Sequence, residues 1–107
     1  MWFFKAPEVI YGEGALEYLE NLSGERAIIV TDKILDGLGY AAQVQKHLQA
    51  AGMEVVVFNE VEPEPSLQTV QHGATILAEF QPDWVVGLGG GSCMDAASAM
   101  WALYERP

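Results

Sequence analysis

Trp84-Val85-Val86-Gly87-Leu88-Gly89-Gly90-Gly91-Ser92 decides how this chain is read, because it joins an apolar β-run to a glycine turn that opens a helix. Trp84 to Val86 with Leu88 has the bulky, β-branched character of a strand, and Gln81-Pro82-Asp83 in front of it breaks the preceding element. Beyond Ser92, the residues Met94, Ala97, Trp101 and Tyr104 recur at spacings of three, four and three, which is one face of a helix.

Working back from this unit, two more of the same kind appear. Ala27-Ile28-Ile29-Val30 is a continuous apolar run of the sort buried on both faces of a parallel sheet. Thr31-Asp32-Lys33 follows as a polar loop, and Ala41, Val44, Leu48 and Ala51 then mark a helix face that stops at Gly52. Val55-Val56-Val57-Phe58 reads as a second buried strand. Glu60 to Pro65 must be an extended loop, since its prolines remove backbone donors. Ser66 is a good N-cap for a helix striped by Leu67, Val70, Ala74 and Leu77 and reaching Phe80. Strand followed by helix, three times over, predicts an α/β fold with a parallel sheet built from right-handed crossovers. Ahead of it, Trp2 to Tyr11 with a break at Ala6-Pro7 suggests two short extended pieces forming a β-hairpin, and Ala15 to Leu22 carries a short helical stripe.

The 107 residues suffice for one domain and not for two. Acidic side chains outnumber basic ones 15 to 5, a formal net charge of −10. The few cations are scattered, which argues against nucleic acid and anionic membranes as partners. No apolar run approaches the ~20 residues that span a bilayer, and Lys5 interrupts the apolar start too early for a signal peptide. The single cysteine, Cys93, has no internal disulfide partner. Together these features predict a cytoplasmic protein.

In open parallel sheets, ligands sit outside the carboxyl ends of the strands, so the loops at 31–33, 62–66 and 87–92 are the places to look. A glycine cluster leading into a helix lets backbone N–H groups approach an anion, and a phosphate or diphosphate is its natural guest. A tight strand-to-helix turn explains the glycines equally well. The G-x-G-x-x-G fingerprint is not completed, because Ser92 stands at its last position. Ser92 and Asp95 have the spacing of a capping box, which would make both stabilisers of the helix start. His47 and His72 lie on two different helices with no ligand-pair spacing and read as surface or satisfied histidines.

Gly89-Gly90-Gly91-Ser92-Cys93-Met94-Asp95-Ala96-Ala97 resembles the GGGSxxDxAK motif of the iron-containing (group III) alcohol dehydrogenases. Thr31-Asp32-Lys33 is similar to that family's V-T-D-K loop and Val61-Glu62-Pro63-Glu64-Pro65-Ser66 to its V-x-P-N-P-T segment. Tyr11-Gly12-Glu13-Gly14-Ala15-Leu16 is similar to its early F-G-x-G-A-L turn, and Pro82 to Val86 to the lead into its glycine strand. The resemblance runs over essentially the whole chain and covers the first part of the family's architecture.

It implies a Rossmann-like parallel sheet of the dehydroquinate synthase-like superfamily, with residues 1–107 forming part of a dinucleotide-binding domain. The metal-binding helical domain, which holds the family's iron or zinc, would lie outside this chain. Gly89, Gly90, Gly91 and Ser92 would take the diphosphate, Asp32 the adenine ribose, and Asp95 would lie near the cofactor. A carboxylate accepts from ribose hydroxyls and repels a 2′-phosphate, so NAD is expected over NADP. The alternative for Asp32 is a loop carboxylate that caps the next helix.

Three positions depart from the family pattern. Ser98 replaces Lys, Glu64 replaces a cofactor-contacting Asn, and Cys93 replaces Pro. A helix-start thiol can have a lowered pKa, although a neutral substitution is the simpler reading.

The implied function is the cofactor-binding part of an NAD-dependent alcohol dehydrogenase that moves hydride between a primary alcohol and the nicotinamide, with the isolated chain inactive. Two alternatives stand beside it. The glycerol dehydrogenase group shares the fold but carries Lys where this chain has Ser92, and a non-catalytic nucleotide-binding or oligomerisation module needs no further domain. The apolar Trp2-Phe3-Phe4 start, together with an unpaired sheet edge expected where a further strand would follow Pro107, predicts a homo-oligomer.

Overall fold

A computed structural model describes residues 2–5, 8–11, 20, 23–64 and 66–105. Its strands are β1 (Trp2–Lys5), β2 (Glu8–Tyr11), β3 (Arg26–Val30), β4 (Glu54–Phe58) and β5 (Trp84–Gly87). Its helices are α1 (Lys33–Gly37), α2 (Tyr40–Ala50), α3 (Leu67–Phe80) and α4 (Gly91–Glu105). The helical stripe expected over 15–22 lies outside the described residues, apart from Glu20.

The five strands form one sheet in the order β2-β1-β5-β3-β4. β3 is central to the parallel part. It pairs with β4 in the register Ile28↔Val56 and Val30↔Phe58, and with β5 in the register Ile28↔Val85 and Val30↔Gly87. The chain therefore steps from β3 to one side, then back past it to the other. Two crossovers of the same hand that travel in opposite directions put their helices on opposite faces.

The core divides accordingly. Ala27, Ile29 and Val86 face Ala41, Val44 and Leu48 of α2. Ile28, Val30, Phe58 and Val85 face Val70 and Leu77 of α3 and Cys93, Ala96, Ala97 and Met100 of α4. Alternate residues of a single strand thus feed two cores, which is why β3 reads as an uninterrupted apolar run.

The structure corrects the sequence reading in several places. The hairpin joins the sheet: β1 pairs antiparallel with β5, Trp2 opposite Gly87 and Phe4 opposite Val85, and β2 lies outside β1, so that β2 and β4 are the outer strands. On α4 the buried stripe is Cys93, Ala96, Ala97 and Met100, one position earlier than expected, and Met94 is exposed. On α3 Leu67 is exposed and Gly73 is buried, because the tip of Met100 fills the space where a Gly73 side chain would stand. Lys33 opens a short helix instead of continuing a loop.

Candidate functional site

The loops after β3, β4 and β5 meet at one end of the sheet around a cavity of about 710 Å³. From the first come Asp32, Lys33 and Ile34, from the second Asn59 to Pro63 with Ser66, Gln68 and Thr69, and from the third Gly90, Gly91, Ser92 and Cys93. The position follows from topology. The chain leaves β3 toward one face of the sheet and leaves neighbouring β5 toward the other, so a crevice opens between their carboxyl ends.

The three glycines of the turn differ in what holds them. Gly89 has φ +139°, where side-chain-bearing residues are strained, and a Cβ there would come within 2.8 Å of Cys93 Sγ and 3.1 Å of a Leu35 methyl. Its identity is fixed by the chain itself. A Cβ at Gly90 or Gly91 would meet nothing within 4 Å. No internal contact requires glycine at these two cavity-lining positions.

α4 begins at Gly91, and the Gly90 carbonyl accepts from the amides of Cys93 (3.1 Å) and Met94 (3.3 Å). The earliest amides of a helix ordinarily have no intrahelical acceptor, and here the Gly91–Ser92 start of α4 lines the cavity. The capping box is corrected by the same geometry. Ser92 lies inside the helix, where its hydroxyl cannot cap, and Ser92 Oγ instead donates to the Pro63 carbonyl at 2.7 Å. Asp95 is exposed one turn farther on and does not line the cavity.

Asp32 caps α1, its Oδ1 accepting from the Leu35 amide at 2.8 Å, and it is half-buried at the cavity wall. Capping occupies one carboxylate oxygen in this bond, so a cap and a ligand contact are compatible. Next to it, Asn59 Nδ2 donates to Asp36 Oδ2 at 2.7 Å and ties α1 to the end of β4.

Across the cavity Glu62 accepts from Thr69 Oγ1 at 2.5 Å and from Ser66 Oγ at 3.2 Å. The Thr69 hydroxyl first, then the Ser66 hydroxyl and amide, hold its exposed carboxyl below the usual glutamate range. Ser66 also caps α3, accepting from the Thr69 amide.

Cys93 is buried at 2 % exposure, and that burial, followed by the negative charge of Asp32, pushes its thiol above the ordinary range. The lowered value considered from the helix-start position is corrected, because burial strips the thiolate of its hydration and Asp32 adds a like charge. His47 meets Glu20 and His72 meets Glu60, both away from the glycine turn, as expected of satisfied histidines. Among the described residues no group of three or more His, Cys, Asp or Glu could hold a metal ion, and no helix is long and apolar enough to cross a membrane. The described residues do not fit an iron site.

The sequence profile of the iron-containing alcohol dehydrogenases matches residues 6–107. The NADPH-dependent butanol dehydrogenase of Clostridium saccharobutylicum is 43% identical over 108 residues, which is all of this chain and 28% of that protein. The bifunctional aldehyde-alcohol dehydrogenase of Escherichia coli is 45% identical over 112 residues, covering all of this chain and 13% of its own length. Among solved structures, an iron-containing alcohol dehydrogenase from Thermococcus thioreducens superposes with a TM-score of 0.82 at 29% identity, over 98% of this chain and 28% of that one. The NADH-dependent butanol dehydrogenase A of Thermotoga maritima superposes at 0.74 with 27% identity, over 90% and 26%. The chain thus spans less than a third of each of these relatives.

Proposed function

The chain belongs to the iron-containing alcohol dehydrogenase family, and from that premise we propose that its cavity holds the dinucleotide of an alcohol dehydrogenase. The observation that carries this reading is the open space over Gly90 and Gly91 at the head of α4. Glycine there is unexplained by packing and well explained by a diphosphate that must come close to the backbone amides. A protein of net charge −10 can hold such an anion, because the donors are main-chain N–H groups and the field is that of a helix N-terminus.

For the nucleotide we propose NAD over NADP. The two butanol dehydrogenases named above differ in coenzyme, one being NADPH-dependent and the other NADH-dependent, so the choice rests on this chain's own residues. Asp32 supports NAD: its carboxylate can accept ribose hydroxyls, whereas a 2′-phosphate beside it would meet a like charge. Asp95, exposed and off the cavity wall, we assign to the helix surface.

Bound NAD supplies the hydride-accepting ring; what this chain contributes is grip and orientation of the cofactor. The described residues supply no ligand set for the family's metal, and the 107-residue chain on its own is proposed to be without turnover. Among the described residues, Ile34 at the cavity wall and Leu38, Tyr40, Leu67 and Met94, at or next to the starts of the helices, are exposed large apolar side chains. They support the proposal that the remaining length of the relatives packs against these side chains.

Isothermal titration of the chain with NAD tests the reading. Saturable binding that is lost in Gly91→Asp supports it, and absence of binding by the unaltered chain sinks it. Dehydrogenase turnover of a primary alcohol by the purified chain would overturn the assignment of inactivity.

A further inference from the structure

Thr31 is the one fully buried polar residue among the described residues, at 0 % exposure, and all its hydrogen-bonding groups are spent on the two neighbouring loops. Its amide donates to the Phe58 carbonyl at the end of β4 (2.8 Å), and its carbonyl accepts from the Val61 amide (3.2 Å). Its hydroxyl donates to the Leu88 carbonyl (2.8 Å), one residue before the glycine turn. The Leu88 amide in turn donates to the Val30 carbonyl at 3.0 Å.

A peptide unit at a strand's end ordinarily continues its ladder, so the amide and carbonyl bonds only extend the pairing of β3 with β4. The hydroxyl bond is different. Beside the β3–β5 ladder, it is a side-chain tie from Thr31 to the segment leading into Gly89, and its donor is fully buried while the Leu88 end is half-buried.

We propose that Thr31 is the positioning residue of the cavity: its hydroxyl fixes the glycine turn relative to Asp32 and to the loop after β4, so that the amides at the head of α4 face the guest in one arrangement. That the guest is a dinucleotide rests on the function proposed above; the positioning of the turn does not. Thr31 does not line the cavity, and its hydroxyl acts through Leu88.

Thr31→Val keeps the shape and deletes the hydroxyl, Thr31→Ser keeps the hydroxyl and deletes the methyl, and Val44→Ala is a control that loosens the opposite core without touching the cavity. Amide hydrogen exchange of the nucleotide-free chain is measured on all three, followed by titration with NAD. Thr31→Val is expected to speed exchange selectively at 88–94 and to leave 59–62, which main-chain bonds hold, near the unaltered chain. It is also expected to weaken NAD by on the order of tenfold, the factor that accompanies about 1.4 kcal/mol. Thr31→Ser is expected to stay near the unaltered chain, and Val44→Ala to lower the melting temperature without a local change in the turn.

Exchange in Thr31→Val that rises no more at 88–94 than in Val44→Ala overturns the proposal, whatever happens to NAD. If Thr31→Val does not fold, Thr31→Ala takes its place under the same criteria. Selective loosening of the turn in a chain that binds no NAD would uphold the positioning role and refute the dinucleotide.

Discussion

Ser92 Oγ donates to the Pro63 carbonyl at 2.7 Å, joining the first turn of α4 to the loop after β4 across 29 residues of sequence. The bond closes one wall of the cavity and leaves the helix-start amides to the guest.

Ser92→Ala breaks this tie without moving those amides. Removing one solvent-exposed neutral hydrogen bond is expected to cost no more than about 0.5 kcal/mol of stability. NAD affinity should fall only a few-fold. Chemical denaturation and calorimetric titration on the same sample check both; loss of all binding would mean that the hydroxyl is itself a principal phosphate donor.

Gly89 and Gly91 should respond in opposite ways to alanine. Gly89→Ala is expected to lose at least about 2 kcal/mol, from strain at positive φ and from overlap with Cys93 Sγ. Gly91→Ala lies in the first turn of a helix with open space around it, and should leave stability unchanged or raise it by up to about 1 kcal/mol. Its methyl group should nonetheless weaken NAD. Equal destabilisation by the two substitutions would remove the distinction on which the cavity reading depends.

Asp32→Asn keeps a good helix cap, since Asn and Asp rank together at that position. It removes the charge that disfavours a 2′-phosphate. The ratio of NADP to NAD affinity is expected to rise on the order of tenfold, about 1.4 kcal/mol, while the melting temperature barely changes. An unchanged ratio would leave Asp32 with its cap to α1 alone.

Cys93 should be a slow thiol. Burial first, and the Asp32 charge second, raise its pKa, so the folded state favours the protonated form. The stability linked to that shift is fully present below the ordinary thiol range of about 8.5 and is lost as pH rises through the raised value. Iodoacetamide at pH 8 is expected to modify Cys93 far more slowly in the folded chain than after unfolding, and Asp32→Asn should narrow the gap. Equal rates would contradict the burial that the fold assigns to this residue.

The parallel sheet was legible because Ala27 to Val30 and Val55 to Phe58 are apolar at every position, which only strands covered on both faces require. The convergence of the three loops was legible too, since topology alone places them at one end of the sheet. What sequence concealed was long-range. The bonds of Ser92 to Pro63 and of Thr31 to Leu88 span 29 and 57 residues, and nothing local announces them.

The short helix α1 has no buried residue and hence no periodic signal. The face of α4 differs by one position from the expected one because large residues outweigh Cys93 and the small alanines in a periodicity, and the small ones are what let α4 lie close to the sheet and α3. The pairing of Trp2–Lys5 with β5 was hidden for a related reason, as an apolar strand carries no mark of which edge it will join.

That the amides at the head of α4 hold a diphosphate is the central claim, and Gly91→Asp tests it most directly. An acidic residue in a helix's first turn suits the dipole, so the fold should survive with an unchanged melting temperature. The same carboxylate would stand in open space where the diphosphate is placed. Calorimetric titration with NAD is predicted to show saturable binding by the unaltered chain and none by the folded variant. Equal affinity of the two for NAD would contradict the claim.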